Sequence, residues 1–365
     1  MNTIQKTYDL GQAIWLDDIR RAYFTSGAFQ GLIDLGLKGM TSNPTIFEKA
    51  ISGSADYDSA LNRFIAEGFT VKQIYDELTR SDIAEAADLL LPVYEQTKGK
   101  DGYVSLEVDP HLADDTNATV QEALRLFSAL GRPNVMIKVP ATDEGVPAIE
   151  SLIGEGVNVN VTLIFSIDQY RNAANAYIEG LRVRASKGQP LSGIASVASF
   201  FVSRIDGVVD KALQEKGRDE LAGKTAIASA KMVYGEFGRL FSGKGWMELE
   251  SAGGSLQRPL WASTSTKNPS YPDTLYADSL IGSETVNTLP MHTLEAFLDH
   301  GTPVATLSQG LEEANAHMEL LRELGVDIDR VTDDLLMKGV QSFSASFDSL
   351  LESIERKIDL LKEDR

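Results

Sequence analysis

VNVNVTLIF, residues 157–165, is an apolar run broken at every second place: Val157, Val159, Val161 and Leu163 alternate with Asn158, Asn160 and Thr162. A period of two belongs to a β-strand, whose successive side chains point to opposite faces. One face is apolar, as a face packed on helices must be. The other carries amides and a hydroxyl, which are costly to bury unless they are hydrogen-bonded. Two readings fit. This is an edge strand with one wet face, or it belongs to a closed barrel whose lining turns polar at a site, with Asn160 and Thr162 pointing inward.

Seven further strand-like runs flank it, at 12–17, 38–42, 103–109, 135–141, 193–201, 258–264 and 283–288; the last is short and polar. Helical patterns separate them. Thr70 is a good N-cap, followed by Val71, Ile74, Tyr75 and Leu78 at helical spacing, and Asp115 to Leu130 and Ser166 to Arg184 read similarly. The Gly-rich stretch 242–255 reads as a loop. From about Leu294 the chain reads as wholly helical. Phe343, Phe347, Leu350, Leu351, Ile354, Ile358 and Leu361 form one stripe on a last helix, which must pack on the barrel or on a partner chain. Strands alternating with helices imply parallel pairing. An open sheet binding a dinucleotide would carry G-x-G-x-x-G after a strand, and none does. The expected fold is therefore α/β: a (β/α)8 TIM barrel in one domain over 1–365, with a helical C-terminal extension from about 302 to 365.

Composition narrows the chemistry. The net charge of −19 argues against nucleic acid and anionic membranes as partners, since both are bound by basic surfaces. No apolar stretch approaches the length of a membrane span. Cysteine is absent, which excludes disulfides, thiolate nucleophiles and Cys-based metal sites. That fits a reducing cytoplasm, and the N-terminus lacks the pattern of a signal peptide. The four histidines, His111, His292, His300 and His317, form no HxH or HExxH pair. No metal and no cofactor are expected, so catalysis falls to Lys, Asp, Glu, Ser or Thr.

Lys138 interrupts the apolar run NVMIKVPAT. A lysine there is a snorkelling surface residue, half of a buried ion pair, or a nucleophile. Burial disfavours an ammonium, and loss of the charge leaves the neutral amine that Schiff-base formation needs. Asp17 ends the first strand and Glu107 lies near the end of the third, both at the C-terminal mouth where barrel catalysis occurs. Either can exchange protons with an adjacent amine. Their neighbours Asp18 and Asp109 fall on the opposite strand faces and read as capping or helix-facing residues. Arg204 follows the sixth strand and Lys267 the seventh, where such barrels commonly bind phosphate.

GMTSNPTIFEKAI, VSLEVDPHLADD, NVMIKVPAT, VNVTLIFS, ASFFVSRID and LWASTSTKNP together closely resemble the transaldolase family, in the longer bacterial form that also occurs fused to phosphoglucose isomerase. The resemblance runs from about residue 10 to about residue 300. It implies that Lys138 forms a Schiff base and Asp17 is the acid/base. It implies that Glu107 and Thr162 hold a catalytic water, and that Asn43 and Asn160 hold donor hydroxyls. Ser199 and Arg204 match the serine and arginine after the sixth strand. Shorter members place a second arginine after the seventh strand, where this sequence has Lys267, a point charge rather than a bidentate fork. The implied reaction moves a dihydroxyacetone unit from sedoheptulose 7-phosphate to glyceraldehyde 3-phosphate, in the non-oxidative pentose phosphate pathway. Sugar phosphates are the implied partners, and the chain is expected as a monomer or homodimer. The alternatives are an aldolase that releases free dihydroxyacetone, and a non-catalytic sugar-phosphate-binding barrel.

Overall fold

In the computed structural model, which describes residues 1–363, eight parallel strands close into a barrel in sequence order. They are β1 (Gln12–Asp17), β2 (Gly39–Thr41), β3 (Tyr103–Glu107), β4 (Val135–Pro140), β5 (Val159–Ile164), β6 (Ser196–Phe201), β7 (Gln257–Ala262) and β8 (Thr285–Leu289). β8 pairs back onto β1, so the sheet has no free edge. β5 is paired on both sides, which removes the edge-strand reading of residues 157–165.

Helices link successive strands, and their starts follow local chemistry. Thr70 and Ser166 each build a capping box, with Gln73 and Gln169 respectively, and Asp115 caps the helix Thr116–Leu130. Two expectations need correction. Residues 242–255 are not a loop, because Lys244–Ser251 is helical. Trp246 and Leu249 bury one face of that turn, with Trp246 packed edge-on to Phe241 at 4.7 Å, and the glycines only punctuate its ends. The chain after Leu294 is not wholly helical either. Met291–His300 stops at Gly301, and Pro303 lies in a non-helical stretch before Leu311–Glu323 and the terminal helix Ile328–Glu363.

Polar side chains buried among the strands pair with one another. Gln12 Nε2 donates to Thr285 Oγ1 (2.9 Å), Gln257 Nε2 to Ser196 Oγ (2.9 Å), and Asn160 Nδ2 to Ser105 Oγ (3.0 Å). Pairing offsets the desolvation of a polar lining. One irregularity stands out in β5. Its register against β6 shifts between Val161 and Ile164, and Leu163 sits at φ 59°, a left-handed conformation that branched and bulky residues avoid. Bulges of this kind re-aim side chains beside active sites, and Thr162 immediately precedes this one.

Candidate active site

Strand register brings the first candidates together. Glu107 of β3 lies beside Lys138 of β4, and Lys138 beside Asn160 of β5. Lys138 is buried, so the snorkelling reading does not hold. Its Nζ lies 3.2 Å from Glu107 Oε2 and donates to the Ser42 carbonyl at 3.0 Å. Glu107 is therefore in direct contact with the amine and is placed to take its proton. Burial holds the Glu107 carboxyl above its ordinary range, although Lys138 opposes that shift.

Asp17 stands at the end of β1, in register with Thr41 of β2. Thr41 Oγ1 donates to Asp17 Oδ1 at 2.8 Å and lies 2.8 Å from Thr288 Oγ1. Desolvation raises the Asp17 carboxyl, partly countered by Lys138 and Thr41. Asp17, Lys138, Thr162, Asn43 and Ser199 line one cavity of about 120 Å³ with Arg204 and Lys267.

The remaining candidates divide by what already holds them. Asn160 is engaged at its carbonyl, where Ser199 Oγ donates at 2.6 Å, and at its amide, which donates to Ser105 Oγ at 3.0 Å. It forms the floor beneath Ser199 rather than the cavity wall. Asn43 spends Oδ1 on the Ile46 amide (3.0 Å), capping the helix Pro44–Ser52. Thr162 Oγ1 is buried without a hydrogen-bond partner among the described residues, so it has both a proton and lone pairs to offer. The Arg204 side chain makes no hydrogen bond among the described residues. Its guanidinium lies over the rings of Phe201 (5.2 Å) and Phe343 (5.8 Å), and burial lowers its pKa. Lys267 is exposed at the rim, reaches Ser265 Oγ at 2.7 Å, and is pushed down by desolvation and by Arg204. Two partly desolvated cations facing one cavity are suited to an anion. Outside it, Asp109 caps the turn Pro110–Leu112, and Asp18 accepts from the Tyr23 hydroxyl at 2.8 Å.

Several residues of the site carry no sequence signal of their own. Thr41, Thr288 and Ser265 are ordinary hydroxyl residues until the barrel closes, and Phe343 belongs to a helical stripe. Asp206 is another. Buried two residues beyond Arg204, it accepts from the Ala226 amide (2.7 Å) and the Tyr276 hydroxyl (2.8 Å). One turn later, Asp210 accepts from the Gly223 amide (2.9 Å) and the Tyr271 hydroxyl (2.7 Å). These two carboxylates tie the helix bearing Arg204 to segment 263–280, which bears Lys267. Tyr276→Phe removes a donor from a buried carboxylate, so the unfolding free energy should fall by about 1–3 kcal/mol in urea titrations. Desolvation raises Asp206 from 3.8 to about 6. The fold thus favours its protonated form. That contribution to stability is full below about 4 and fades as the pH rises through about 6.

Comparison with known proteins gives the family. The model of the Transaldolase/Fructose-6-phosphate aldolase family matches residues 14–354. A transaldolase of Trichodesmium erythraeum is 45% identical, covering 99% of this chain and 98% of its own length. One from Saccharopolyspora erythraea is 46% identical over 99% of both chains. One from Neisseria meningitidis is 44% identical over 96% of this chain and 99% of its own.

Proposed function

The chain belongs to the transaldolase/fructose-6-phosphate aldolase family and has transaldolase activity, and we propose that it works through a Schiff base on Lys138. The observation that carries this reading is the buried Lys138 amine, in contact with Glu107 and sharing a cavity with Asp17. Glu107 takes the ammonium proton, and the neutral amine attacks the C2 ketone of sedoheptulose 7-phosphate. Water leaves with help from Glu107 and Thr162, giving the iminium. Asp17 accepts the C4 hydroxyl proton, the C3–C4 bond breaks, and the iminium nitrogen takes up the electron pair. Erythrose 4-phosphate departs. The three-carbon enamine stays on Lys138, bonds to the aldehyde carbon of glyceraldehyde 3-phosphate, and hydrolysis releases fructose 6-phosphate.

Asn43 and Asn160, the latter through Ser199, orient the donor hydroxyls. Arg204 and Lys267 bind the phosphate, supported by their desolvation and by the scarcity of other partners for Arg204. We place this reaction in the non-oxidative pentose phosphate pathway and the protein in the cytoplasm, acting as a monomer or homodimer. We take residues 1–365 as one catalytic unit, with the helices from about 302 onward as its extension.

Product analysis tests the reading. Sedoheptulose 7-phosphate plus glyceraldehyde 3-phosphate should yield erythrose 4-phosphate and fructose 6-phosphate in equal amounts. Release of dihydroxyacetone as the main product would identify an aldolase, and binding without turnover would identify a scaffold. Arg204→Ala should raise KM for phosphorylated acceptors about 10- to 100-fold, the equivalent of a charge-assisted hydrogen bond. For unphosphorylated glyceraldehyde it should change KM little.

A further inference from the structure

The terminal helix Ile328–Glu363 does more than cover apolar surface, because it sends one aromatic ring into the barrel mouth. The helix is anchored at several points on segment 44–58. Thr45 Oγ1 donates to Ser346 Oγ (2.8 Å), Ser349 Oγ to Glu48 Oε1 (2.6 Å), and Lys357 Nζ lies 2.8 Å from Asp58. It also runs close over β5: a Cβ at Gly339 would lie 2.9 Å from Leu163 Cδ2. So held, Phe343 is buried, with its ring centre 5.8 Å from Lys138 Nζ and 5.8 Å from the Arg204 guanidinium carbon. It meets the ring of Phe201 at 6.5 Å and 62°.

Phe343 lines two spaces. One is the cavity containing Lys138 and Asp17. The other is a small pocket bounded by Glu107, Pro140, Leu163 and Val340. The ring is therefore a shared wall, apolar on both sides, beside the nitrogen on which the three-carbon unit waits.

We propose that Phe343 determines transfer over release, as the wall that keeps water from the enamine on Lys138. This rests on the Schiff-base reading above. In the productive course, the enamine carbon bonds to the acceptor aldehyde carbon, and the aldehyde oxygen takes a proton. In the leak, that carbon takes a proton from water and hydroxide adds to the resulting iminium. The C2–N bond then breaks and the proton returns to the amine, so one water is consumed and free dihydroxyacetone leaves. Both courses use the same lysine and acids. Both also end in hydrolysis of an iminium, and they differ in whether water or the acceptor aldehyde reaches the enamine carbon first, which an apolar wall beside that carbon decides by restricting water.

The test measures free dihydroxyacetone formed per sedoheptulose 7-phosphate formed, with fructose 6-phosphate as donor and a fixed concentration of erythrose 4-phosphate as acceptor, in the full chain. Borohydride trapping is run in parallel. Phe343→Ala should raise the fraction of adducts lost to release by tenfold or more and lower transfer yield with acceptor present, while the trapped adduct still forms. Phe343→Leu, which keeps most of the bulk, should fall between. Phe347→Ala is the control. Phe347 lies one turn on, edge to face with Tyr75 at 5.1 Å, and its loss should weaken the helix without changing the partition. An unchanged partition in both Phe343 variants with normal trapping would overturn the proposal. So would an equal leak in Phe347→Ala, which would assign the effect to the helix as a whole. No adduct in the unsubstituted protein would remove the Schiff-base reading, and this inference with it.

Discussion

Lys138→Ala is expected to abolish transfer, by about 10⁴-fold or more, while leaving the barrel folded. The lysine is the only amine in contact with Glu107 among the described residues, and the proposed reaction has no other nucleophile. Removing one partner of a buried ion pair ordinarily costs about 3–5 kcal/mol, because a charge is stranded. Here burial already raises the Glu107 carboxyl, so loss of Lys138 lets it take a proton and remain as a neutral acid. The stability loss should then be nearer about 1–3 kcal/mol, that of a lost hydrogen bond. Lys138→Arg separates charge from nucleophilicity. It keeps a cation beside Glu107 and should be equally inactive. Steady-state transfer assays check the first effect, and chemical denaturation the second. Appreciable turnover in either variant would exclude the lysine as nucleophile.

Asp17→Ala should slow transfer by about 10²–10⁴-fold, the range of general base removal, yet still permit imine formation. Asp17 is coupled to Thr41 and, through it, to Thr288, while Lys138 has its own carboxylate in Glu107. In the proposed mechanism the two acids therefore serve different steps. Rapid-quench measurements should find the donor adduct accumulating in the variant instead of being consumed. The pH profile follows from the same residue. Asp17 accepts a proton only when ionised, and burial raises its carboxyl above 3.8. Cleavage should therefore fail as the pH drops through a value above the ordinary aspartate range, and that acidic limb should change in Asp17→Ala. If the limb persisted unaltered, the base would have to be sought elsewhere.

The barrel was legible because eight strand-like runs alternate with helical patterns along the chain, and the ends of each run lie within three residues of its observed strand. Lys138, Glu107 and Asp17 were legible for a related reason: a charge at the end of an apolar strand conflicts with its surroundings. The rest has no such mark. The stripe from Phe343 to Leu361 suits a partner chain as well as a barrel, and periodicity alone cannot say that Phe343 faces Lys138. The left-handed Leu163 is invisible because nothing in V-N-V-T-L-I departs from strand chemistry. Glycines at 243, 245, 253 and 254 outweighed Trp246 and Leu249 as local signals, although burial of those two side chains makes the helix. Asp206 and Asp210 stand at helical spacing like any surface pair. Their role emerges only when Tyr271 and Tyr276 arrive from beyond β7.

Mass spectrometry after borohydride reduction in the presence of fructose 6-phosphate addresses the chemistry most directly. It should find one three-carbon or six-carbon sugar adduct per chain, on the peptide containing Lys138 and on no other lysine. A protein that transfers dihydroxyacetone units normally yet yields no reduced adduct, or yields one at a different lysine, would contradict the role given to this buried amine.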